Sequence, residues 1–375
     1  MVSSTVGRAG AKTLSLRALN RATLARQMLL RRHRLSIPDA LEHLVGLQAQ
    51  ATGPPYIGLW TRLEEFEFQE LNRLLAERRV VRSALMRGTL HVVTARDVLG
   101  LRPILQPVLD RSLLANHRRH LTGLNLAAVA TAARNLLGAG PLTYAALGKL
   151  LQEQWPERPA ELLAMVARNC EVLVQASPVL WGGGNLVEMT TVKNWLGKCP
   201  RADATPGPLV IRYLAACGPA SIADIRSWSG LSGVAEIVAT LKPQLRTFRA
   251  PSGAELFDLS DAPRPDPDTP SPARLLSGFD ALVLSHADRT RFLDEAHRKL
   301  ISTSNGIFHP TVLIDGRISG TWKIAVGKNE TSIEIAQFSP ATKRQRIELT
   351  EEAVKLLKVV AADAKRHDVL FSSSR

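Results

Sequence analysis

At 375 residues, 45% of them hydrophobic, the chain can bury substantial cores and suggests two to four small domains rather than one. Its net charge of +14 and pI near 10.2, with arginine spread along the chain, favour a polyanionic partner; nucleic acid leads, because no basic amphipathic helix or lipid signal points to a membrane. No stretch approaches the roughly 18 uninterrupted apolar residues of a membrane span, and Cys170, Cys199 and Cys217 are too few and too widely spaced for a disulfide framework or a structural zinc site. The expectation is a cytoplasmic protein without metal or cofactor, and a monomer, since no heptad seam is visible.

Taken in chain order, residues 1–18 are basic and small, lack a hydrophobic signal core and read as a mobile tail. The first unit, 19–123, reads as helix, helix, helix, hairpin. Asn20 caps a helix running through Arg32, Ser36-Ile37-Pro38 opens a second, and Pro55 opens a third. Val80–Met86 and Thr89–Val93 then alternate around Arg87-Gly88, which puts Arg87 at a hairpin tip and His91 on the returning strand.

A second unit, 124–206, carries helices over Leu124–Leu137, from Leu142-Thr143-Tyr144, and over Pro159–Val172, followed by a hairpin to Thr191 around Gly182-Gly183-Gly184-Asn185. The third, 207–260, has the cleanest helix-turn-helix pattern. Pro208–Cys217 is one helix, Ser221-Ile222-Ala223-Asp224 resembles a capping box, Gly230 is a break, Val234–Leu241 is another helix, and Leu245–Leu259 is a wing. Prolines 263, 265, 267, 270 and 272 make 261–273 a semi-rigid linker. In 274–375 the pattern predicts a strand over Ala281–Ser285, a helix over Arg289–Leu300, an antiparallel meander (Pro310–Ile314, Ile318–Val326, Thr331–Phe338), and a helix over Glu351–His367.

The densest chemical signal is Gly46-Leu47-Gln48-Ala49-Gln50-Ala51-Thr52-Gly53-Pro54-Pro55. Residues two apart diverge on a helix but share a face of an extended segment, so a break after Leu47 lets the amides of Gln48 and Gln50 converge. Each has a carbonyl acceptor and an NH2 donor, and neither titrates; such a pair can orient a water without acting as a strong base. On its own Q-x-Q is common, and a satisfied cap or loop pair is its ordinary meaning.

That segment, together with Val80 through His91 and with Asp315-Gly316-Arg317-Ile318-Ser319-Gly320-Thr321-Trp322-Lys323, resembles the AlkZ/YcaQ-type bacterial DNA glycosylases over nearly the whole chain. The resemblance implies an α+β fold: three tandem winged helix-turn-helix units and a C-terminal antiparallel-sheet region with helices, arranged around a basic concave DNA-binding surface. It also implies excision of alkylated guanine from double-stranded DNA. Glutamine at both motif positions places the chain with the crosslink-resistance branch, whose members protect antibiotic producers by unhooking crosslinks, with Gln48 and Gln50 as catalytic residues.

The chemistry suits that implication. N7 alkylation makes guanine cationic and a good leaving group, so the site must mainly orient water and preorganise dipoles around an electron-poor sugar. No lysine stands in the motif, which favours direct hydrolysis over a Schiff base. For contacts to DNA the candidates are Arg87, Thr89 and His91 on the first hairpin, Arg289 and Arg291, and Trp322, Lys323, Lys328 and Asn329 on the C-terminal hairpin. Two competing readings are a winged-helix transcriptional regulator and a protein that sequesters adducts without cutting. Against the regulator, Val234–Leu241 offers one acidic residue and no basic one to base edges.

Overall fold

The computed structural model describes residues 11–176, 181, 187–326 and 330–373. Helix α1 (Leu16–Arg26) is capped by Ser15, whose side chain accepts from the Ala18 amide. Asn20 is therefore not a cap. It lies buried inside the helix and donates to the carbonyls of Arg291 (2.9 Å) and Gly316 (2.6 Å). The helix also stops short of Arg32, because Met28 turns left-handed at φ 56°.

Helix α2 (Ile37–Leu44) begins at the Ser36 cap with Pro38 in its first turn, as the sequence implies. A two-residue strand β1 (Leu47–Gln48) leads to α3 (Gly53–Arg62) and α4 (Phe68–Ala76). Strands β2 (Val80–Ala84) and β3 (Leu90–Thr94) form the expected hairpin, with a 3-10 turn at Met86–Gly88. Helix α5 (Ala95–Leu121) has no counterpart in the sequence reading, because Pro103 and Pro107 stand inside it.

Next come α6 (Leu126–Ala139), β4 (Leu142–Thr143), α7 (Tyr144–Gln152), α8 (Ala160–Cys170), β5 (Leu173–Gln175), β6 (Glu188–Thr191) and the short α9 (Val192–Leu196). Strands β5 and β6 pair antiparallel as anticipated; the glycine run at 182–185 lies outside the described residues. Ser83 of β2 opposes Val174 of β5, and its hydroxyl donates to the Leu173 carbonyl at 2.7 Å. The two hairpins thereby share one six-stranded sheet, ordered β1-β3-β2-β5-β6-β4, with β1 at its edge.

The 206–259 region follows the sequence closely. Helices α10 (Pro206–Cys217), α11 (Ile222–Ser229) and α12 (Val234–Leu241) precede the antiparallel pair β7 (Leu245–Arg249) and β8 (Glu255–Leu259). The Ser221/Asp224 capping box forms, and Gly230 ends α11 at φ 78°. No helix or strand forms over 261–273, yet the segment is strapped to α1: the Pro263 carbonyl accepts from Arg26 and the Thr269 carbonyl from Arg21.

The C-terminal part departs most from expectation. Strand β9 (Arg274–Leu276) precedes residues 281–284, which form the helical turn α13 (Ala281–Leu284) rather than a strand; the Asp280 side chain accepts from the Leu282 amide and caps it. In place of a helix over 289–300 there is only a 3-10 segment, Glu295–Leu300. The meander is present as β10 (Thr311–Ile314), β11 (Arg317–Val326) and β12 (Glu330–Gln337). The final helix α14 spans Lys343–Val360, from a Thr342/Gln345 capping box, and β13 (Arg366–Ser373) then pairs parallel to β12. One apolar core runs from Tyr56, Trp60 and Phe68 to Trp322, Ile333 and Leu356, so the C-terminal sheet packs on the first helices. The whole is a mixed α+β fold, and among the described residues no helix is long and apolar enough to cross a membrane.

Candidate active site

The extended break between α2 and α3 has a local cause. Val45 (φ 58°) and Gly46 (φ 85°) are both left-handed, which ends α2, and a Cβ on Gly46 would lie 2.5 Å from Val93 Cγ1. The chain then pairs with β3: Leu47 opposes Val92, Gln48 opposes His91, and the Ala49 amide donates to the Leu90 carbonyl at 2.7 Å. Leu47 and Ala49 are buried while Gln48 is half-buried and Gln50 exposed, the alternation of a strand. Gln48 thus shares its face of the sheet with the buried His91, and Gln50, just past the end of β1, is exposed to solvent.

Hydrogen bonds fix how each amide points. Gln48 Oε1 accepts from Arg87 Nη2 at 2.6 Å, and Gln50 Oε1 accepts from the Leu90 amide at 2.7 Å. Guanidinium and backbone N–H groups only donate, so each must face a carbonyl oxygen. Among the described residues each of these two side-chain carbonyls therefore has one lone pair engaged and one left, with the NH2 turned away from that partner. Arg82, which sequence reasoning left without a role, holds the same ledge: its Nε donates to the Ala49 carbonyl and its Nη1 to Gln175 Oε1, both at 2.8 Å.

The hairpin residues supply the surroundings. Arg87 lies in the turn as expected, but its side chain folds inward to Gln48 and to the Trp228 carbonyl instead of projecting from a tip. Burial, and secondarily the charge of Arg289, lower its pKa to about 10, so it stays cationic at neutral pH. His91 is 3% exposed, contrary to the surface position expected for a DNA contact. Its Nδ1 lies 2.9 Å from the Thr89 carbonyl, which can only accept, so Nδ1 carries the proton. Burial, then the Arg87 charge, hold its pKa at about 3 and keep the ring neutral. The Thr89 hydroxyl donates to the Met86 carbonyl at 3.0 Å, within the turn.

The other predicted contacts divide. Arg289 is half-buried, 5.4 Å from the Phe308 ring centre, with Nε lacking a hydrogen-bond partner among the described residues; its charge reaches Arg87. Arg291 is buried and donates to the Pro219 carbonyl (2.9 Å) and Thr23 Oγ1 (3.3 Å), so its cation serves the interior. Trp322 is likewise core rather than wedge, its Nε1 donating to the Leu276 carbonyl at 2.9 Å. Lys323 is exposed and pairs with Glu334 at 2.9 Å. Lys328 and Asn329 lie outside the described residues, beyond the exposed Val326.

The fold thus links Gln48 with Arg87 and His91, Gln50 with the same hairpin, and Arg289 with Arg87 by charge. Among the described residues no carboxylate hydrogen-bonds either glutamine, and no group of three or more His, Cys, Asp or Glu side chains is placed to hold a metal. Chemically the ledge can position a polar molecule by hydrogen bonds beside a fixed cation.

Comparison with known proteins gives this ledge a context. The interstrand DNA cross-link repair glycosylase of Streptomyces sahachiroi is 25% identical over 364 residues, covering 88% of this chain and 92% of that protein. The solved structure of Streptomyces sahachiroi DNA glycosylase AlkZ covers 96% of this chain and 100% of its own at a TM-score of 0.75; with 21% identity, the likeness is one of fold. The family model described as DNA glycosylase AlkZ-like matches residues 41–359. This chain therefore belongs to the AlkZ-like family and is a DNA glycosylase.

Proposed function

We propose that this glycosylase hydrolyses the N-glycosidic bond of N7-alkylguanine in duplex DNA, including bulky monoadducts or interstrand crosslinks, with Gln48 and Gln50 positioning the water. The carrying observation is that Gln48, at the end of an edge strand, and Gln50, two residues on and exposed, each have a carbonyl held by one donor with no second hydrogen bond to it among the described residues. A water donating to those lone pairs keeps its own oxygen available for the sugar carbon. With no carboxylate on the amides to take a proton, the site suits a base already primed to leave.

In this reading the segments 19–123, 124–206 and 207–260 act as winged-helix units around a basic concave surface, with Arg289, Lys328 and Asn329 touching DNA. An edge strand, unlike a deep pocket, leaves room for a base that cannot be swung out of the helix. The crosslink-repair name of the 25% identical relative favours large lesions among the candidates.

The test is chromatographic detection of free base released from duplexes carrying N7-methylguanine, a bulky N7 monoadduct, or an N7–N7 crosslink. Release of alkylguanine from at least one, with the undamaged duplex untouched, is the expected result. Binding without release would favour a sequestering protein, and tight binding to an undamaged operator would favour a regulator.

A further inference from the structure

Arg87 was expected to face DNA, and the contacts it makes point elsewhere. Its backbone is left-handed at φ 57°, inside the 3-10 turn that joins β2 and β3. Two distant parts of the chain hold that turn. From α8, Arg168 Nη2 donates to the Gly88 carbonyl at 3.1 Å. From α11, the Trp228 carbonyl takes Arg87 Nη1, and Gly230 allows the approach: a Cβ there would lie 3.5 Å from Arg87 Cα and 2.7 Å from Val108 Cγ1. Arg111 Nη2 in turn donates to the Gly230 carbonyl. The guanidinium is thus fixed at one end, and its Nη2 meets Gln48 Oε1 at 2.6 Å.

We propose that Arg87 is a positioning residue that acts through Gln48, setting the side-chain rotation of that amide rather than gripping DNA. A charged donor fixes which end of the amide is oxygen and which is nitrogen. It also settles which lone pair of that carbonyl is occupied and which is left to accept from a water. Gln50 takes its orientation from a backbone amide and needs no such partner. The two amides are therefore set by different means, and only one depends on parts of the chain that lie 80 and 141 residues away in sequence. The half-buried cation needs no carboxylate to stay charged, and among the described residues none forms an ion pair with it.

The inference rests on the glycosylase reading of Gln48, and a double-mutant cycle separates the two. On an N7-methylguanine duplex, Arg87→Met slows single-turnover release about 10–100-fold, the loss expected when a reacting group is misplaced by about 1 Å. Its Kd for the same duplex stays within about twofold. In a Gln48→Ala background the same change costs less than about twofold, because the residue it acts through is already gone. Arg87→Lys, which keeps the charge and N–H donors but not the planar fork, restores part of the rate; it replaces Arg87→Met in the cycle if the latter fails to fold by thermal melting. The side-chain amide resonance of Gln48, assigned by its disappearance in Gln48→Ala, shifts in Arg87→Met while that of Gln50 does not. Equal losses in both backgrounds, or a Kd that weakens by the same factor as the rate, would overturn the positioning role and leave the glycosylase reading standing. A wild-type protein that releases no base from any N7-alkylated duplex would overturn both.

Discussion

Two polar regions of this molecule use their hydrogen bonds in opposite ways. Along the seam between α1, α3 and the later parts of the chain, cations are buried and paired with carboxylates. Arg26 gives its donors to both oxygens of Asp258 (2.6 and 2.9 Å) and to the Leu214 and Pro263 carbonyls, and Arg62 makes a two-bond pair with Asp280 (2.9 and 2.8 Å). At the Gln48–Gln50 ledge, among the described residues, each amide carbonyl has one hydrogen-bond partner and no carboxylate, while Arg289, whose charge reaches Arg87, lies over the Phe308 ring with its Nε lacking a hydrogen-bond partner. The lesson is that net charge is a poor map of the DNA-facing surface here. Arg21, Arg26, Arg62, Arg102, Arg274 and Arg291 are all buried, so part of the positive charge that suggested nucleic acid serves the interior. Function is better located by hydrogen-bonding capacity left over after folding.

Breaking the seam produces the largest effect on stability. Asp258→Ala leaves Arg26 buried without its counter-charge and lowers unfolding free energy by about 3–5 kcal/mol, measured by urea titration. A loss below about 1 kcal/mol would mean that the seam is no more engaged than the ledge.

Arg289→Met tests the other side, with an effect on DNA rather than on folding. Duplex affinity falls several-fold, and the slope of log Kd against log salt drops by about one, while the melting temperature stays nearly constant. An unchanged salt slope would move Arg289 to the seam's class of structural cations.

At neutral pH the smallest effect concerns His91, which shares features of both regions because it is buried yet adjoins the site. Its folded pKa, held at about 3 against an ordinary 6.5, means that the unfolded chain binds the extra proton between those values. Stability contributed by the neutral ring is present above about pH 6.5 and is lost as pH falls toward 3. His91→Gln, which keeps a donor for the Thr89 carbonyl without titrating, should flatten that acid limb of the Tm against pH curve. The flattening is partial, since buried His286 is shifted the same way, chiefly by burial and next by Arg291.

Legibility in the sequence followed the range of the forces involved. Helix starts at Ser36 and Ser221 and the β2–β3 hairpin are governed by residues within a few positions, and they match the pattern. The extended stretch at Gln48 is readable for the same reason, since it lies between the helix ending at Leu44 and the prolines that open the next. What the pattern missed depends on distant partners. The 281–284 segment is apolar enough for a strand but is capped by Asp280, which is itself held by Arg62. Arg291 and Trp322 stand among the candidates for DNA contact, although burial preference alone already favours the core for a tryptophan, because nothing nearby in sequence reveals Pro219 or Leu276 as their acceptors. Arg87 was placed correctly in its turn, but its inward fold depends on a carbonyl 141 residues away.

The most direct test of the account measures single-turnover release of free alkylguanine and duplex Kd side by side for wild type, Gln48→Ala and Gln50→Ala. Release should fall about 100-fold or more in each variant while Kd stays within about twofold, as for the removal of a preorganised hydrogen-bonding group. Release that continues at the wild-type rate in both variants would contradict it.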